Sequence, residues 1–455
     1  MTTRWLLVAL AALAALVALV GCDPAPPRWH VSGGHLRAPD GRAVILRGVN
    51  LSNAQKRPPY LDAGSAEDWL RLRRDFGFNT VRLLMTWAAV EPERGRYDDA
   101  YLDGVRARLG WAADAGLLVV LDMHQDVYGE GFGFDGAPRW SCDEASYAGF
   151  EAREPWFLNN LDPHVIACVD HFYQDADVQA RFVAAWTYVA ARLADAPAVI
   201  GFDPLNEPVW GSHGITTFEA DLLAPLYGRV VAGVRGEAPG WVAFLEPGAN
   251  RNAGLATSLT RFDFRDVVYA PHSYDPSAER GEGFDPSHRD DVLASVAALR
   301  DDARQLDVAL WIGEYGGSSS APGIVEYMSA EYDAFAAVAA GSMYWSYDRD
   351  DGYGFLNPDG SEKPALAAAV VRPCPERVAG DPVAWSWDPA SSTFAFEYTP
   401  DRSLALPTEL SVPERCFPGG YAVDCGGCEV DRTPGALRLL TPPPGSPATI
   451  TLRPR

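Results

Sequence analysis

The sequence predicts an α/β protein, a (β/α)8 TIM barrel with a C-terminal β-sandwich domain, on three observations. Over 44–373, short β-rich runs alternate with amphipathic helical stretches, the pattern of βα units around a parallel sheet. Eight such runs occur there, the number that closes a barrel. Beyond 373 the helical period stops and Pro-rich punctuation separates short alternating runs. A chain of 455 residues accommodates one large barrel and one appendage.

The first segment stands outside that fold. Arg4 precedes an uninterrupted apolar run over 5–20, which ends in Leu19-Val20-Gly21-Cys22 and is followed by the helix-breaking Asp23-Pro24-Ala25-Pro26-Pro27. The run has the length of a signal-peptide core and is short for a membrane-spanning helix. Residues 1–21 resemble a bacterial lipoprotein signal, with Cys22 as the lipidated first residue of the mature chain; an ordinary cleaved signal with an incidental cysteine is the alternative. The expected location is therefore outside the cytosol, either lipid-anchored to the cell envelope or secreted. Contact with a membrane surface is expected through the anchor alone, because no second apolar stretch of spanning length follows. Residues 22–43 read as a linker and lead-in.

The barrel strands are expected at 44–50, 80–85, 117–122, 199–204, 241–245, 267–270, 309–313 and 342–345, with helices such as 177–195 and 290–305 between them. A doubly wound open sheet would want a Gly-rich turn after its first strand, where the sequence has Leu51-Ser52-Asn53-Ala54-Gln55-Lys56. In 374–455 the runs 383–386, 393–398, 408–412, 436–440 and 448–452 predict the sandwich. Packing against the barrel is its expected role, with carbohydrate or lipid binding as the alternative. Apart from Cys22 there are six cysteines, an even number in an exported chain, so disulfides are expected. Cys142 and Cys168 fall in one long loop and are expected to pair; Cys374, Cys416, Cys425 and Cys428 leave three connectivities open. No second C-x-x-C or nearby His completes a zinc site with Cys425 and Cys428. With 38 Lys+Arg against 61 Asp+Glu the formal charge is −23, which repels nucleic acid. Monomer is the default oligomeric state.

Barrels carry their chemistry at the carboxyl ends of strands. The fourth run ends Leu205-Asn206-Glu207-Pro208 and the seventh Ile312-Gly313-Glu314-Tyr315-Gly316, which aims two carboxylates into one mouth. Cleaving a glycosidic bond needs one group to protonate the departing oxygen and another to attack the anomeric carbon or guide water to it. Two glutamates do both when their environments separate their pKa values. No cofactor or metal is required, and His124-Gln125-Asp126 lacks the further barrel histidines a metal hydrolase would use.

These two motifs resemble those of glycoside hydrolase family 5, whose clan A retaining enzymes carry the acid/base and nucleophile glutamates on strands four and seven. The resemblance implies Glu207 as acid/base and Glu314 as nucleophile. It implies Arg82 beneath the nucleophile, His124 and Asn206 on sugar hydroxyls, and His272 and Tyr274 orienting the two glutamates. Trp345 would be the platform under the reactive sugar, an aromatic face against the C–H face of a pyranose. Within the family, the stretches 48–56, 82–92, 121–128 and 344–347, with 379–386 and 410–418 near the C-terminus, resemble endoglycoceramidases. Those enzymes cut between the oligosaccharide and the ceramide of glycosphingolipids. The likeness implies Lys56 and Asp126 on the sugar next to ceramide or its neighbour.

The loop over 128–174 is long for a βα connection and carries Phe132, Phe134, Trp140, Tyr147, Phe150, Trp156 and Phe157. These aromatics are expected either to line the ceramide side or to form the loop's own core. Three other functions remain open on sequence: action on gala-series glycolipids, action on a β-glucan or mannan, and a non-catalytic carbohydrate-binding lipoprotein. A binding-only protein has no physical reason to retain both glutamates and their supports.

Overall fold

The computed structural model describes residues 27–455 apart from 53, 63, 350 and 351. The signal segment and Cys22 lie outside the described residues. Eight parallel strands close a barrel: Arg47–Leu51, Thr80–Thr86, Leu118–His124, Val199–Asp203, Val242–Leu245, Val267–Tyr269, Ala309–Gly316 and Gly341–Trp345. The last pairs with the first, Ser342 beside Arg47 and Tyr344 beside Val49. The sixth strand is interrupted at Pro271, which has no N–H to donate, and resumes as His272–Ser273 beside Glu314 and Tyr315.

Buried on both faces, these strands read as apolar runs, and their alternation decides what enters the barrel. Val81, Leu83 and Met85 of the second strand and Val119, Leu121 and Met123 of the third face the helical layer. Arg82, Asp122 and His124 therefore point inward. Val120, Ile200, Phe244, Val268 and Trp311 fill the interior below them. The first two strands approach so closely that a Cβ on Gly48 would lie 1.7 Å from the Thr80 carbonyl oxygen, so only glycine fits there.

Residues 22–43 were expected as a linker and the first barrel strand from 44; the described part of this segment is instead folded into sheet. His30–Ser32, His35–Arg37 and Ala43–Val44 form the edge of a sheet whose other strands are Cys374–Val378, Thr408–Ser411, Ala436–Leu439 and Val430–Thr433. The run Val44-Ile45-Leu46 serves two cores at once, Val44 and Leu46 in the barrel's and Ile45 in the C-terminal one, which is why it reads as one continuous strand. Leu36 and Ala38 seal the amino end of the barrel. There the Val31 amide donates to Asp266, just before the sixth strand, at 3.1 Å.

A second antiparallel sheet, Gly380–Asp388, Thr393–Pro400, Ala448–Pro454 and Tyr421–Asp424, completes the C-terminal region. Its alternate side chains Trp385, Trp387, Phe394, Phe396, Ile450 and Leu452 meet Leu410, Leu437 and Leu439 of the first sheet in a sandwich core. That core also takes in Tyr332 and Ala336 from the end of the barrel helix Ile324–Ala337, and Ala339 just after it. The Ser411 hydroxyl donates to the Gly77 carbonyl at 2.8 Å and Arg415 pairs with Glu362 at 2.7 Å, so the sandwich is docked on the barrel.

Cys142 is joined to Cys168 and Cys425 to Cys428. Cys374 and Cys416, expected in disulfides, are free thiols. Both lie in the apolar seam between sandwich and barrel and behave as small hydrophobes, and burial pushes their thiols up to about 12 and about 11. The 142–168 bridge closes a 26-residue separation and ties the start of the long insertion to the helix Pro163–Gln174. Replacing both cysteines by serine is expected to cost roughly 3 kcal/mol, read as a lowered urea midpoint with the barrel still folded.

Candidate active site

At the carboxyl end of the barrel Arg82, wholly buried, is surrounded by four carboxylates. Its Nη2 lies 3.0 Å from Asp122, 2.9 Å from Asp203 and 2.9 Å from Glu246, and its Nη1 lies 2.5 Å from Glu314 Oε1. Burial disfavours its charge, but the four carboxylates outweigh that and hold its pKa well above the ordinary value. The same side chain donates to Asn206 Oδ1 at 2.9 Å and Asn50 Oδ1 at 3.2 Å, fixing the floor on which both motifs rest.

Glu314 is held from two directions, by Arg82 on Oε1 and by the Tyr274 hydroxyl on Oε2 at 2.8 Å. Glu207 occupies the left-handed region at φ 41, a conformation costing on the order of 1 kcal/mol for a residue other than glycine. Its backbone N–H donates to Glu246 Oε2 at 2.9 Å and its carbonyl accepts from the Gln125 amide at 3.1 Å, which locks the turn. Its carboxylate accepts from Asn252 Nδ2 at 2.7 Å and from His272 Nδ1 at 2.9 Å. Oxygens of Glu207 and Glu314 lie within 4.8 Å of each other, with His272 Nδ1 between them, 3.5 Å from Glu314.

His272 is the pivot of the electrostatics. Burial would neutralise it, but Glu246 and Glu314 hold its pKa well above the ordinary value. Its proton on Nδ1 points at Glu207, and Nε2 lies 3.2 Å from Glu246. Glu246 is pushed up to about 8 by burial, against the pull of His272. Burial also raises Glu207, but the hydrogen bond and charge of His272 more than offset it, leaving that carboxyl below its ordinary value. For Glu314 burial outweighs His272 and Arg82, and the net shift is upward. The shifts of His272 and Glu207 thus run in opposite directions across the hydrogen bond that joins them.

A pH prediction follows for Glu314, which must be ionised to act as a nucleophile. Its raised pKa places the acid limb of kcat/KM above the ordinary glutamate range. His272→Gln removes a positive charge that lowers this pKa, so the acid limb is expected to move to higher pH. A pH–rate profile checks this; an unmoved limb would contradict the assignment.

The mouth above is a cavity of about 270 Å3 lined by Lys56, His124, Asp126, Asn206, Glu207, Tyr274, Glu314 and Trp345, with Arg82 and His272 packed beneath and beside it. The Trp345 ring stacks on His124 at 5.3 Å and carries Lys56 Nζ 4.8 Å from its centroid; Lys56 in turn pairs with Asp126. His124 is kept neutral by burial and by the Lys56 and Arg82 charges; its Nδ1 is 2.8 Å from Asp122, and its Nε2 has no partner among the described residues. The structure thus brings every candidate residue except Cys22 to one place.

Sequence reasoning missed several neighbours. Glu246 directly follows the fifth strand, two residues from the inward-facing Phe244, so strand parity could have found it. Glu279 lines the pocket from the short helix Pro276–Glu279 and is pushed up to about 7 by burial and by Glu207 and Glu314. Asp135 is buried against Lys56 and Asp126. Neither loop carries a pattern that announces these residues. The long-loop aromatics divide between packing against neighbouring rings and lining the catalytic pocket. Phe132 packs on Tyr147 and Phe150 at 4.9 and 5.0 Å, and Trp140 packs on Trp87, whereas Phe134 and Trp156 line the pocket.

Comparison with known proteins gives a consistent result. The profile described as cellulase (glycosyl hydrolase family 5) matches residues 38–351, and that of the glycoside hydrolase family 5 C-terminal domain matches 372–452. Endoglycoceramidase I of Rhodococcus hoagii is 30% identical over 94% of this chain and 89% of its own length. Endo-glycoceramidase II from Rhodococcus sp., in its ganglioside GM3 complex, superposes with a TM-score of 0.84 at 32% identity, covering 93% of this chain and all of the other. The lactosyl-enzyme intermediate of the same enzyme superposes at 0.81, with 32% identity over 91% of this chain and 98% of the other.

Proposed function

The chain belongs to glycosyl hydrolase family 5, and from that premise we propose that it is a retaining endoglycoceramidase, cleaving the β-glycosidic bond between oligosaccharide and ceramide of glycosphingolipids. The observation that carries the chemistry is the approach of Glu207 and Glu314 to within 4.8 Å. Retaining enzymes space their carboxyl groups by ~5 Å, and a wider gap would be needed to seat a water for inversion. Glu314, aimed by Arg82 and Tyr274, attacks the anomeric carbon, while Glu207 delivers a proton to the ceramide oxygen. As the new bond consumes the charge on Glu314, one of the charges that keeps the proton on His272 vanishes. The proton then passes along the 2.9 Å hydrogen bond to Glu207 and on to the leaving oxygen. In the second step Glu207 takes a proton from the water that hydrolyses the glycosyl-enzyme. Trp345 supports the reactive sugar; His124, Asn206, Lys56 and Asp126 bind its hydroxyls and those of the next unit.

The glycolipid reading over a polysaccharide is supported by the apolar flank of the mouth. Phe134 and Trp156 line it, and Leu158, Leu161 and Leu255 on the neighbouring loops are 43, 56 and 42% exposed, surface suited to lipid chains. The test is incubation with detergent-dispersed lactosylceramide and mass spectrometry of the products. Intact lactose plus free ceramide is expected; release of single sugars, or cleavage of β-glucan alone, would refute the proposal. The reading includes export, a monomeric enzyme and a lipid anchor at Cys22; an acylated N-terminal peptide that disappears in Cys22→Ser would establish the anchor.

A further inference from the structure

Directly after the fifth barrel strand, one segment grips Glu207 and its neighbour at three points. Glu246 accepts from the Glu207 N–H at 2.9 Å, the Ala249 N–H donates to the Pro208 carbonyl at 2.8 Å, and Asn252 Nδ2 donates to Glu207 Oε1 at 2.7 Å. The third of these acts on the carboxyl group itself. The terminal torsion of a glutamate is soft, so a carboxyl group without fixed partners turns easily. Here Asn252 and His272, from different elements, donate to the same oxygen, Oε1, at 2.7 and 2.9 Å, and together they fix the plane of the group. An acid held in one orientation delivers its proton to one place.

Asn252 can do this only if its loop is rigid. It lies on an excursion over 249–258 whose crest, 253–256, is exposed to solvent. A single side chain fastens both feet of that loop. Glu219, 1% exposed, accepts from the Gly248 N–H on Oε1 at 2.8 Å; on Oε2 it accepts from the Thr257 hydroxyl at 2.7 Å, the Leu259 N–H at 3.0 Å and the Ser258 N–H. Between the feet, Arg251 pairs with Asp302 of the helix Arg289–Leu306 at 2.8 Å. Glu219 itself opens a turn of π-helix, Glu219–Leu223, closed by the Ala224 N–H on the Glu219 carbonyl. Such wide turns interrupt the α-helical ladder and recur at functional sites. The contacts that aim Glu314, from Arg82 and Tyr274, involve neither Asn252 nor Glu219.

We propose that Asn252 is a positioning residue for the acid/base, presented by a loop that Glu219 clamps at both feet; the proposal rests on the reading of Glu207 as the proton donor. Its effect falls on protonation of the leaving group and spares the attack by Glu314.

The test compares kcat/KM for two aryl β-lactosides, a measure that stops at formation of the glycosyl-enzyme and so omits the second role of Glu207. Dinitrophenolate departs without a proton and phenolate needs one, so a misaimed acid slows only the phenyl substrate. Asn252→Ala is expected to lower kcat/KM for phenyl β-lactoside about tenfold, part of the ~10²- to 10⁴-fold that a positioned acid contributes, and to leave dinitrophenyl β-lactoside within about twofold. Glu219→Gln keeps the side-chain shape but turns an N–H toward one foot, where only an acceptor bonds. Its loss should show the same selectivity and, combined with Asn252→Ala, should fall short of the product of the two single losses. Urea midpoints report folding; Asn252→Ala, on an exposed loop, decides the matter if Glu219→Gln folds poorly. Equal losses on both substrates in Asn252→Ala, or no loss on either, with Glu207→Gln still selective, would overturn the proposal and leave the acid/base reading standing. If Glu207→Gln itself does not discriminate between the leaving groups, that reading falls and the proposal with it.

Discussion

Glu314→Gln is expected to lower the rate of glycolipid cleavage by on the order of 10⁵- to 10⁶-fold, the scale on which removing a covalent nucleophile acts. The substitution keeps the shape of the side chain and its contacts with Arg82 Nη1 and Tyr274 Oη, but an amide oxygen does not form the glycosyl-enzyme bond. Because Trp345, His124, Lys56 and Asp126 are untouched, substrate binding should stay within a few-fold of the parent. The loss should therefore fall on kcat, with KM little changed. Steady-state kinetics on an aryl β-lactoside, with a calorimetric Kd for lactose, would check both halves. A drop of only tenfold, or a loss confined to KM, would mean that Glu314 does not attack the sugar.

The largest structural effect is expected from Arg82→Met. Four buried carboxylates converge on this one cation, and deleting one partner of a buried ion pair typically costs ~3 to 5 kcal/mol, because the remaining charges stay uncompensated. The sign of the accompanying pH dependence is fixed. Without the guanidinium, the folded-state pKa values of Asp122, Glu246 and Glu314 all rise. Groups so raised contribute stability at pH values below their unfolded pKa and lose it as the pH climbs through the folded one. The variant should thus be weakest in alkaline buffer and recover part of its stability in mild acid. Urea unfolding at pH 5 and pH 8 reads this out; equal deficits at the two pH values would show that Arg82 acts through packing rather than charge. Activity should be lost along with stability, since the nucleophile is then protonated.

The barrel and the two glutamates are legible in the sequence for a common reason. A parallel sheet covered on both faces is written as apolar runs, so an inward charge near a strand end stands out, as Arg82 does between Val81 and Leu83. By the same logic Asp122 and Glu246 deserved equal weight. What was not legible depends on distant pairing. Whether Val44 begins the barrel or belongs to the first sheet of the sandwich is decided by Cys374–Val378, more than 300 residues away, and no local pattern encodes that choice. The free state of Cys374 and Cys416 has a similar origin, since parity of cysteine count says nothing about which thiols the fold brings together. Asn252 and Asp135 sit on irregular loops, and Glu279 ends a helix of four residues, so no period links sequence position to direction at any of them.

The lead-in hairpin closes the end of the barrel opposite the two glutamates, and this sets an orientation. Residues between Cys22 and the first strand at His30 span at most ~28 Å when fully extended. A chain held at Cys22, as proposed above, is consequently tied down by its sealed end, and its open end looks away from the bilayer that carries it. Such an enzyme does not graze on the lipids around its own anchor. Anchored in that way, it would reach outward, toward glycolipid on an opposing surface or carried in micelles, with the anchor as a pedestal and the apolar loops around the mouth as the part that makes first contact.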